Sequence, residues 1–415
     1  MRYALCGYSL LLGALVLTSW TTWAAELPVV SHADASLRQF VQTVIDDNPR
    51  VQAARAALAA SGAMRDAASR PIYNPELSLE AENADSETRA IGLSQTLDWS
   101  GKRRARTSVA ESERLVVQAH YQSARWSLTM DLLNGLAAHQ TGQARDELAN
   151  QRRQLMSDFR ALAERRFAAG DLSQVEVDLA RLSSTNARIQ QATSGAELAE
   201  ARQSVRNVVS RVPVVQWPSL SSELPPLPSG VEPQHWVLQL PEVVAAQRQA
   251  ESANARVALR KRERRPDPTL SVAGGDEDGE SLVGVSVTIP LFVRNGFNHE
   301  VTAALAEYSQ AQELADDVMQ RAYARLVSAT ERYQLSRQAW VSWTSTGEAS
   351  LTRQTAQLKR LWEAGELSTT DYLVQLTATL DVQQNALELR ETLWRAWFEW
   401  LSASGQVDAW LGTNR

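Results

Sequence analysis

The chain has 415 residues, of which 22% are charged and only 19 are glycine, and its formal net charge is −6 at pH 7. This mildly acidic balance excludes the basic patch that nucleic-acid binding requires. The single cysteine, Cys6, lies in a segment expected to be removed, and a cysteine-free mature chain excludes disulfides, thiolate metal sites and cysteine catalysis.

Residues 1–25 are typical of a secretory signal peptide. Arg2 supplies the positive end, Leu10 to Leu17 form a short apolar core, and small residues around Ala24 provide a cleavage site. The core is shorter than the ~20 apolar residues of a membrane helix. We therefore expect cleavage rather than an uncleaved anchor, and an exported chain of formal charge −7.

The mature chain begins with two helices, the first part of a structural repeat that we place at residues 26–211. Amphipathic periodicity is present over residues 37–45 and 51–68. Asn48-Pro49 separates these segments, because a proline inside a helix removes a hydrogen bond and ends it.

A strand hairpin is predicted next, over residues 75–99. Apolar and polar residues alternate along both strands, and the second strand is about ten residues long, enough to cross a bilayer when tilted. On the alternative interpretation, the hairpin belongs to a soluble sheet with one face on a core. The apolar members are Leu77, Leu79, Ala81, Ile91, Leu93, Leu97 and Trp99.

Two long helices complete the first repeat. No proline occurs from Gly101 to Ala169, a run that would form a helix about 100 Å long at 1.5 Å per residue. Gly170-Asp-Leu-Ser173 predicts a tight turn at residues 170–173, and a second helical run ends near Arg211.

Residues 212–241 form a proline-rich connector. Residues 213–241 hold seven of the fourteen prolines. Proline fixes φ and removes backbone donors, so we expect an extended segment. A flexible linker and a segment packed on the helices both fit this pattern.

Residues 242–415 repeat the order of the first half. The motif Arg166-Phe-Ala-Ala-Gly-Asp-Leu-Ser returns 195 residues later as Leu361-Trp-Glu-Ala-Gly-Glu-Leu-Ser. Such a period is far above the ~20–50 residues of solenoids and indicates duplication of a domain-sized unit. The predicted parts are a hairpin at 268–292, a helical run at 296–364, a turn at 365–368 and a last helix from 368 to about 411.

Apolar residues recur every seven positions along the long helices. This spacing predicts coiled-coil packing, with an ordinary buried helix stripe as the alternative. The series are Leu148, Leu155 and Leu162; Val175, Leu182 and Ile189; Met319, Leu326, Tyr333 and Trp340; and Leu373, Leu380, Leu387, Trp394 and Leu401.

The hairpins favour membrane insertion through an oligomer. Tyr73, Trp99 and Phe292 lie at the same end of the strands, as interfacial aromatics do. Spanning barrels begin at about eight strands, and open sheet edges do not occur in lipid. Four strands from one chain must therefore be completed by other copies.

Charged residues flank the hairpins. The segment from Asp276 to Glu280 looks calcium-like but lacks the EF-hand glutamate, because Val287 occupies its twelfth position. We expect solvated acidic loops that would weakly attract cations if they formed an outer mouth. A basic segment directly after the first hairpin contains Lys102, Arg103 and the arginines that follow. We expect it to be a solvated helix start or, alternatively, to lie beside anionic lipid headgroups. The acidic loop residues are Asp85, Glu87, Asp276, Glu277, Asp278 and Glu280.

No metal, nucleotide or nucleophile motif is present. The five histidines are scattered, and none has a ligand partner three or four positions away. We therefore expect neither an enzyme nor a cofactor.

Taken together, the chain resembles the TolC-type outer-membrane factors, also called outer membrane efflux proteins. The resemblance rests on residues 37–50, on the run Gly92-Leu-Ser-Gln-Thr-Leu-Asp-Trp-Ser-Gly-Lys-Arg, and on the two Gly-x-Leu-Ser turns. It implies a mainly α fold with a small β part. Each chain of a homotrimer would give four strands to a 12-stranded outer-membrane β-barrel and long coiled-coil helices to a periplasmic α-barrel of a Gram-negative bacterium.

Two segments most resemble the heavy-metal branch of that family, the cobalt–zinc–cadmium and copper–silver components. They are Arg265-Pro-Asp-Pro-Thr-Leu-Ser and Gly284-Val-Ser-Val-Thr-Ile-Pro-Leu-Phe-Val-Arg-Asn-Gly. The resemblance implies an efflux duct for metal cations that works with a membrane-fusion adapter and an inner-membrane RND pump. The alternatives are a duct for drugs or for type I protein secretion and, in another class, a periplasmic coiled-coil scaffold or adapter.

The resemblance also assigns roles to the turns. The tips that would contact the adapter are formed by Gly170, Leu172, Ser173, Gly365, Leu367 and Ser368. Glu176 and Asp371, six positions past the turn glycines, would form carboxylate rings that gate cations. The family's second acidic position is Leu179 or Val374 here. Alternatively, the two acids stabilise the first turn of their helices through the helix dipole.

Overall fold

The structure, a computed structural model, describes residues 32–83, 87–210, 216–221, 223–228 and 233–412. The predicted signal peptide and Asp85 lie outside these ranges. No helix within them has a stretch that is both long and apolar enough to cross a membrane.

The first repeat contains four helices and one hairpin. Asn48 ends the first helix, and its side chain accepts a hydrogen bond from the backbone N–H of Arg50. Pro49 opens the second helix at a position where the missing N–H costs nothing. The elements are α1 (Ala35–Asp47), α2 (Pro49–Ser69), β1 (Glu76–Asn83), β2 (Glu87–Thr96), α3 (Lys102–Ala168) and α4 (Gln174–Val209).

The second repeat follows the same order with one interruption. The predicted helical run at 296–364 is helical from Asn298 to Glu363 and contains a π-helical turn at Trp343–Gly347. A Cβ at Gly347 would overlap the Trp343 ring, so only glycine lets the indole lie against this backbone. The elements are α5 (Pro233–Val237), α6 (Pro241–Glu263), β3 (Thr269–Glu277), β4 (Glu280–Thr288), α7 (Asn298–Ser342), α8 (Glu348–Glu363), α9 (Thr369–Ser404) and α10 (Val407–Trp410).

The two hairpins form one antiparallel sheet in the order β1-β2-β3-β4. The central pair is β2 with β3, in which Leu93 pairs with Val272. Strands β2 and β4 end at Thr96 and Thr288, so Trp99 and Pro290 lie beyond the ladder. Pro290 therefore removes no hydrogen bond from the sheet.

The long helices pack side by side in the order α4, α3, α9, α7. Val177, Ala180, Ser184 and Ala187 form the buried face of α4, and these mostly small residues allow close helix approach. The predicted coiled-coil series of α4 is exposed in a single chain, so its packing stays a prediction. Val175, Leu182 and Ile189 are 77%, 68% and 61% exposed. The series in α9 is mostly buried, at Leu373, Leu380, Trp394 and Leu401.

The largest core lies midway along the helices. Trp397 stacks on Trp400 with centroids 5.1 Å apart, and Trp397 also contacts Tyr333. The described part of the connector packs on this core, since Leu220 is buried and its N–H donates to Oε1 of Gln140. Burial raises the pKa of Tyr333, whose hydroxyl donates to the Pro225 carbonyl.

Candidate functional site

The two turns have the same backbone geometry. At the end of α3, Gly170 has φ of 86°, and the Asp171 N–H donates to the Arg166 carbonyl at 2.9 Å. At the end of α8, Gly365 has φ of 78°, and the Glu366 N–H donates to the Leu361 carbonyl at 3.0 Å. Each glycine adopts the left-handed conformation that closes a helix C-terminus.

The predicted gate acids lie in the first turn of the helices that follow. The Glu176 carboxylate accepts hydrogen bonds from the Ser173 N–H at 2.9 Å and the Ser173 hydroxyl at 2.8 Å. These bonds, the backbone N–H first and the hydroxyl second, lower the pKa of Glu176. Asp371 accepts from the Ser368 hydroxyl at 2.7 Å. Glu176 thus completes a capping box, and both acids lie in the first turn of their helices, where the helix dipole favours them, as the alternative to a gate requires.

An aromatic cluster joins the two tips. Trp362 stacks on Tyr372 with centroids 4.5 Å apart and planes 9° apart. Phe159, from the first repeat, contacts both rings. Leu172 and Leu367 pack against this cluster, so each side chain also stabilises the tip itself.

The sheet has one apolar and one small or polar face, and both are open to solvent in a single chain. Leu79, Val272 and Val285 are 76%, 48% and 69% exposed on the apolar face. On the other face a Cβ at Gly92 would lie 2.5 Å from Oγ of Ser78. Ser78 and Gly92 are partners in β1 and β2, so small and polar residues face each other on this side of the sheet, opposite the apolar face.

The acidic residues of the second hairpin close a turn rather than a long loop. Asp278 and Gly279 have φ of 50° and 89°, which gives a two-residue turn between β3 and β4. The predicted loop was therefore too long, and Asp276, Glu277 and Glu280 belong to the strands. Oδ1 of Asp276 accepts from the Gly279 N–H, and Oδ1 of Asp278 accepts from the Glu87 N–H, both at 2.9 Å.

The predicted interfacial aromatics lie at the junction of sheet and helices, in different environments. The Trp99 indole is 64% exposed and donates to the Pro266 carbonyl at 2.6 Å. Phe292 contacts Phe297 with centroids 5.0 Å apart. The Tyr73 hydroxyl donates to Oδ2 of Asp267 at 2.8 Å.

Asp267 also binds Lys102 at 2.9 Å, and the side chains of Lys102 and Asp267 are 12% and 3% exposed. Prediction of a solvated helix start was therefore wrong for Lys102. Sequence reasoning missed this ion pair, for which the only signal was an aspartate between prolines, Pro266 and Pro268.

Comparison with known proteins agrees with this architecture. Residues 40–210 match the family model of the outer membrane efflux protein. The cobalt-zinc-cadmium resistance protein CzcC of Cupriavidus metallidurans is 28% identical over 259 residues, which are 60% of this chain. The match spans 62% of the length of CzcC.

Two solved structures share the fold. CusC, studied for its transmembrane channel formation, has a TM-score of 0.75 at 16% identity and aligns over 90% of this chain and 93% of its own. The outer membrane protein VceC of Vibrio cholerae has a TM-score of 0.74 at 18% identity over 90% of this chain and 96% of its own. The first repeat therefore matches the outer membrane efflux protein family in sequence, and the chain shares its fold with CusC and VceC along nearly its whole length.

Proposed function

We propose that this protein is the outer-membrane channel of a tripartite efflux system and exports heavy-metal cations as a homotrimer. The observation that carries the proposal is the four-stranded sheet, which has an exposed apolar face and two free edges, at β1 and β4. Such a sheet buries its apolar face in lipid only if its edges are paired, because unpaired backbone groups are excluded from the bilayer core.

Three copies satisfy this requirement. Strand β4 of one copy pairs with β1 of the next, and the closed barrel then exceeds the smallest known spanning barrels of about eight strands. The opposite face, with small and polar residues such as Ser78 and Gly92, surrounds the water-filled lumen. The acidic turns around Asp278 lie at the outer opening of the barrel, where they attract cations weakly.

The helices extend the channel away from the membrane. α3 has 67 residues and runs from the sheet to the tips, a length of about 100 Å. The tips at Leu172 and Leu367 contact a periplasmic membrane-fusion adapter, which binds an inner-membrane RND pump. No catalytic step belongs to this chain, since the family it matches consists of efflux proteins.

Heavy-metal cations are the proposed substrate because CzcC, which is 28% identical over 259 residues, is a cobalt-zinc-cadmium resistance protein. A deletion strain, with and without a plasmid copy, tests this by growth on zinc, cobalt, cadmium, nickel, copper, silver and several antibiotics. Sensitivity to metals alone, restored by the plasmid, is the expected result. Sensitivity to antibiotics alone would indicate drugs as the substrate in place of metals. Extraction of the protein from membranes by carbonate would favour a periplasmic scaffold over a channel.

The gate assignment predicts a change in selectivity without a change in fold. In the trimer, Glu176 and Asp371 form rings of carboxylates that favour cations. Glu176→Gln with Asp371→Asn removes the charges and keeps hydrogen-bonding groups that can still cap the helices. We expect cation selectivity in planar bilayers to fall with the thermal midpoint nearly unchanged. Ser173→Ala with Ser368→Ala, which weakens the caps and keeps the charges, is the control; equal selectivity in the gate variant and the wild type would refute the gate.

A further inference from the structure

A basic groove lies directly below the sheet. Its volume is about 920 Å³, and it is bounded by the start of α3 and the end of α6, which belong to different repeats. Five cationic side chains converge on it. They are Arg103, Arg104, Lys261, Arg262 and Arg265.

These cations are unpaired, unlike their neighbours. Within the described ranges, none of the five forms an ion pair with a carboxylate, whereas Arg256 and Arg260 of the same α6 helix bind Glu113 and Glu263 at 2.5 Å and 2.7 Å. Asp98 is the one acid among the described residues that line the groove, and it accepts the Lys102 and Arg103 N–H groups at 2.8 Å and 2.7 Å. Its carboxylate is therefore committed to capping α3.

The stability of the helices does not account for this arrangement. Arg103 and Arg104 lie in the first turn of α3, the positive end of the helix dipole, where cations are unfavourable. They also face the cations at the end of α6, which adds repulsion. An anion bound between the two helices would offset both effects.

The groove is continuous with the apolar face of the sheet. Gln95 pairs with Leu270 in the register of that face, and the Leu97 N–H extends the ladder to the Pro268 carbonyl at 2.9 Å. Gln95, Leu97 and Trp99 then line the groove, with Leu97 and Trp99 47% and 64% exposed. An exposed apolar surface thus leads directly into a cationic one, the arrangement that fits an amphiphile with an anionic head.

We propose that this groove binds the phosphate headgroup of an anionic phospholipid while its acyl chains lie on the apolar face of the sheet. The inference rests on the proposed insertion of the sheet in a membrane. Bound lipid would join the two repeats at their junction and fix the depth of the barrel, because basic residues at a membrane surface attract anionic headgroups.

The test measures phosphatidylglycerol and phosphatidylcholine binding to the full-length protein in neutral detergent by native mass spectrometry. The groove variant carries Arg103→Gln, Arg104→Gln, Lys261→Gln and Arg265→Gln; Arg262 is kept because it donates to the Gly101 carbonyl at 2.7 Å. The control variant neutralises four exposed arginines on the long helices: Arg165→Gln, Arg188→Gln, Arg202→Gln and Arg353→Gln.

The wild type is expected to prefer phosphatidylglycerol. The groove variant should bind it about tenfold or more weakly, and the control should stay within about twofold, since attraction depends on cations close to the headgroup. Equal binding of both lipids, or equal loss in both variants, would overturn the proposal. Displacement of phosphatidylglycerol by inorganic phosphate at the same concentration would show that the groove binds free phosphate and would contradict the lipid proposal.

Conductance in planar bilayers separates this proposal from the proposed function. If the wild type conducts without preferring phosphatidylglycerol, lipid binding in the groove is contradicted and the proposed channel function is supported. If the wild type prefers phosphatidylglycerol but never conducts, lipid binding in the groove is supported and the proposed channel function is contradicted.

Discussion

At the scale of single residues, the junction between sheet and helices depends on a buried ion pair. Asp267 is shared by Lys102 and Tyr73, which come from different parts of the first repeat. Burial, and then the hydrogen bond to Asp267, raises the pKa of Tyr73 to about 12, so the hydroxyl remains a donor at neutral pH. Breaking a buried pair leaves an uncompensated charge, which costs more than breaking an exposed one.

The first prediction concerns this pair. Asp267→Asn should lower the free energy of unfolding by about 3–5 kcal/mol, because Lys102 is then buried without its counter-ion. The double variant Asp267→Leu with Lys102→Met should recover part of the loss. Denaturant titration of the purified protein measures both.

The matched control is Asp317→Asn, which breaks an exposed pair with Arg321. Its effect should be about 0–1 kcal/mol. A loss no larger for Asp267→Asn than for this control would contradict the importance of the junction pair.

The second prediction concerns the cap at Glu176. A lowered carboxylate pKa in the folded state stabilises the fold at pH values above the ordinary glutamate pKa of about 4.3, and the contribution is lost as the pH falls through the lowered pKa. Amide hydrogen exchange in the turn at 170–173, corrected for intrinsic rates, should show less protection at pH 3 than at pH 7. Glu176→Gln should remove this pH dependence, and a turn with the same dependence in both proteins would rule out the cap as its origin.

At the scale of elements, small residues decide where the helices approach and bend. Ala180 and Ser184 let α4 lie close to α3, and Gly347 lets the Trp343 ring lie against the π-helical turn between α7 and α8. π-helical turns within helices often occur at functional positions. Here the turn lies beside an open groove lined by Trp340, Trp343 and Leu224 of the connector.

The third prediction tests the π-helical turn. Gly347→Ala should destabilise the protein by about 1–3 kcal/mol, the usual effect of overpacking, because the new methyl group displaces the Trp343 ring. Gly62→Ala is the control, since its Cβ meets no atom within 4 Å and alanine improves helix propensity by up to about 1 kcal/mol. The thermal midpoint should fall for Gly347→Ala and rise or stay unchanged for Gly62→Ala. An unchanged midpoint for Gly347→Ala would show that the turn does not require glycine.

At the scale of the whole molecule, surfaces left open by one chain indicate how copies assemble. α4 lies at one side of the helix layer, and its free face carries Val175, Leu182 and Ile189 at intervals of seven residues. Such spacing is that of a coiled-coil seam. In the proposed trimer this stripe packs on α7 and α8 of the neighbouring copy, while β1 pairs with the neighbour's β4.

The fourth prediction concerns that seam. Leu182→Glu should reduce the fraction of trimer in size-exclusion chromatography with light scattering, because it places a charge in an apolar interface between copies. Met64→Glu on α2 is the control, with a native side chain 70% exposed compared with 68% for Leu182. Helicity should be unchanged in both, and an equal trimer fraction in the two variants would exclude α4 from the interface.

The sequence by itself determined the order of the elements. Alternation with period two predicts the strands, absence of proline predicts the long helices, and the repeated Gly-x-Leu-Ser motif predicts two equivalent turns, since glycine supplies the left-handed backbone each turn needs. These signals are local, so each can be read from a few neighbouring residues. The resemblance to outer-membrane factors, carried by such short segments, correctly indicated the fold.

Only the tertiary structure decided which faces are buried and which charges are paired. Leu182 and Leu380 occupy similar heptad positions, yet one is exposed and the other buried, because burial depends on which helix lies opposite. Lys102 and Asp267 are 165 residues apart, and their pairing arises only when the sheet brings the two repeats together. Long-range proximity, unlike periodicity, leaves no spacing in the sequence by which it could be recognised.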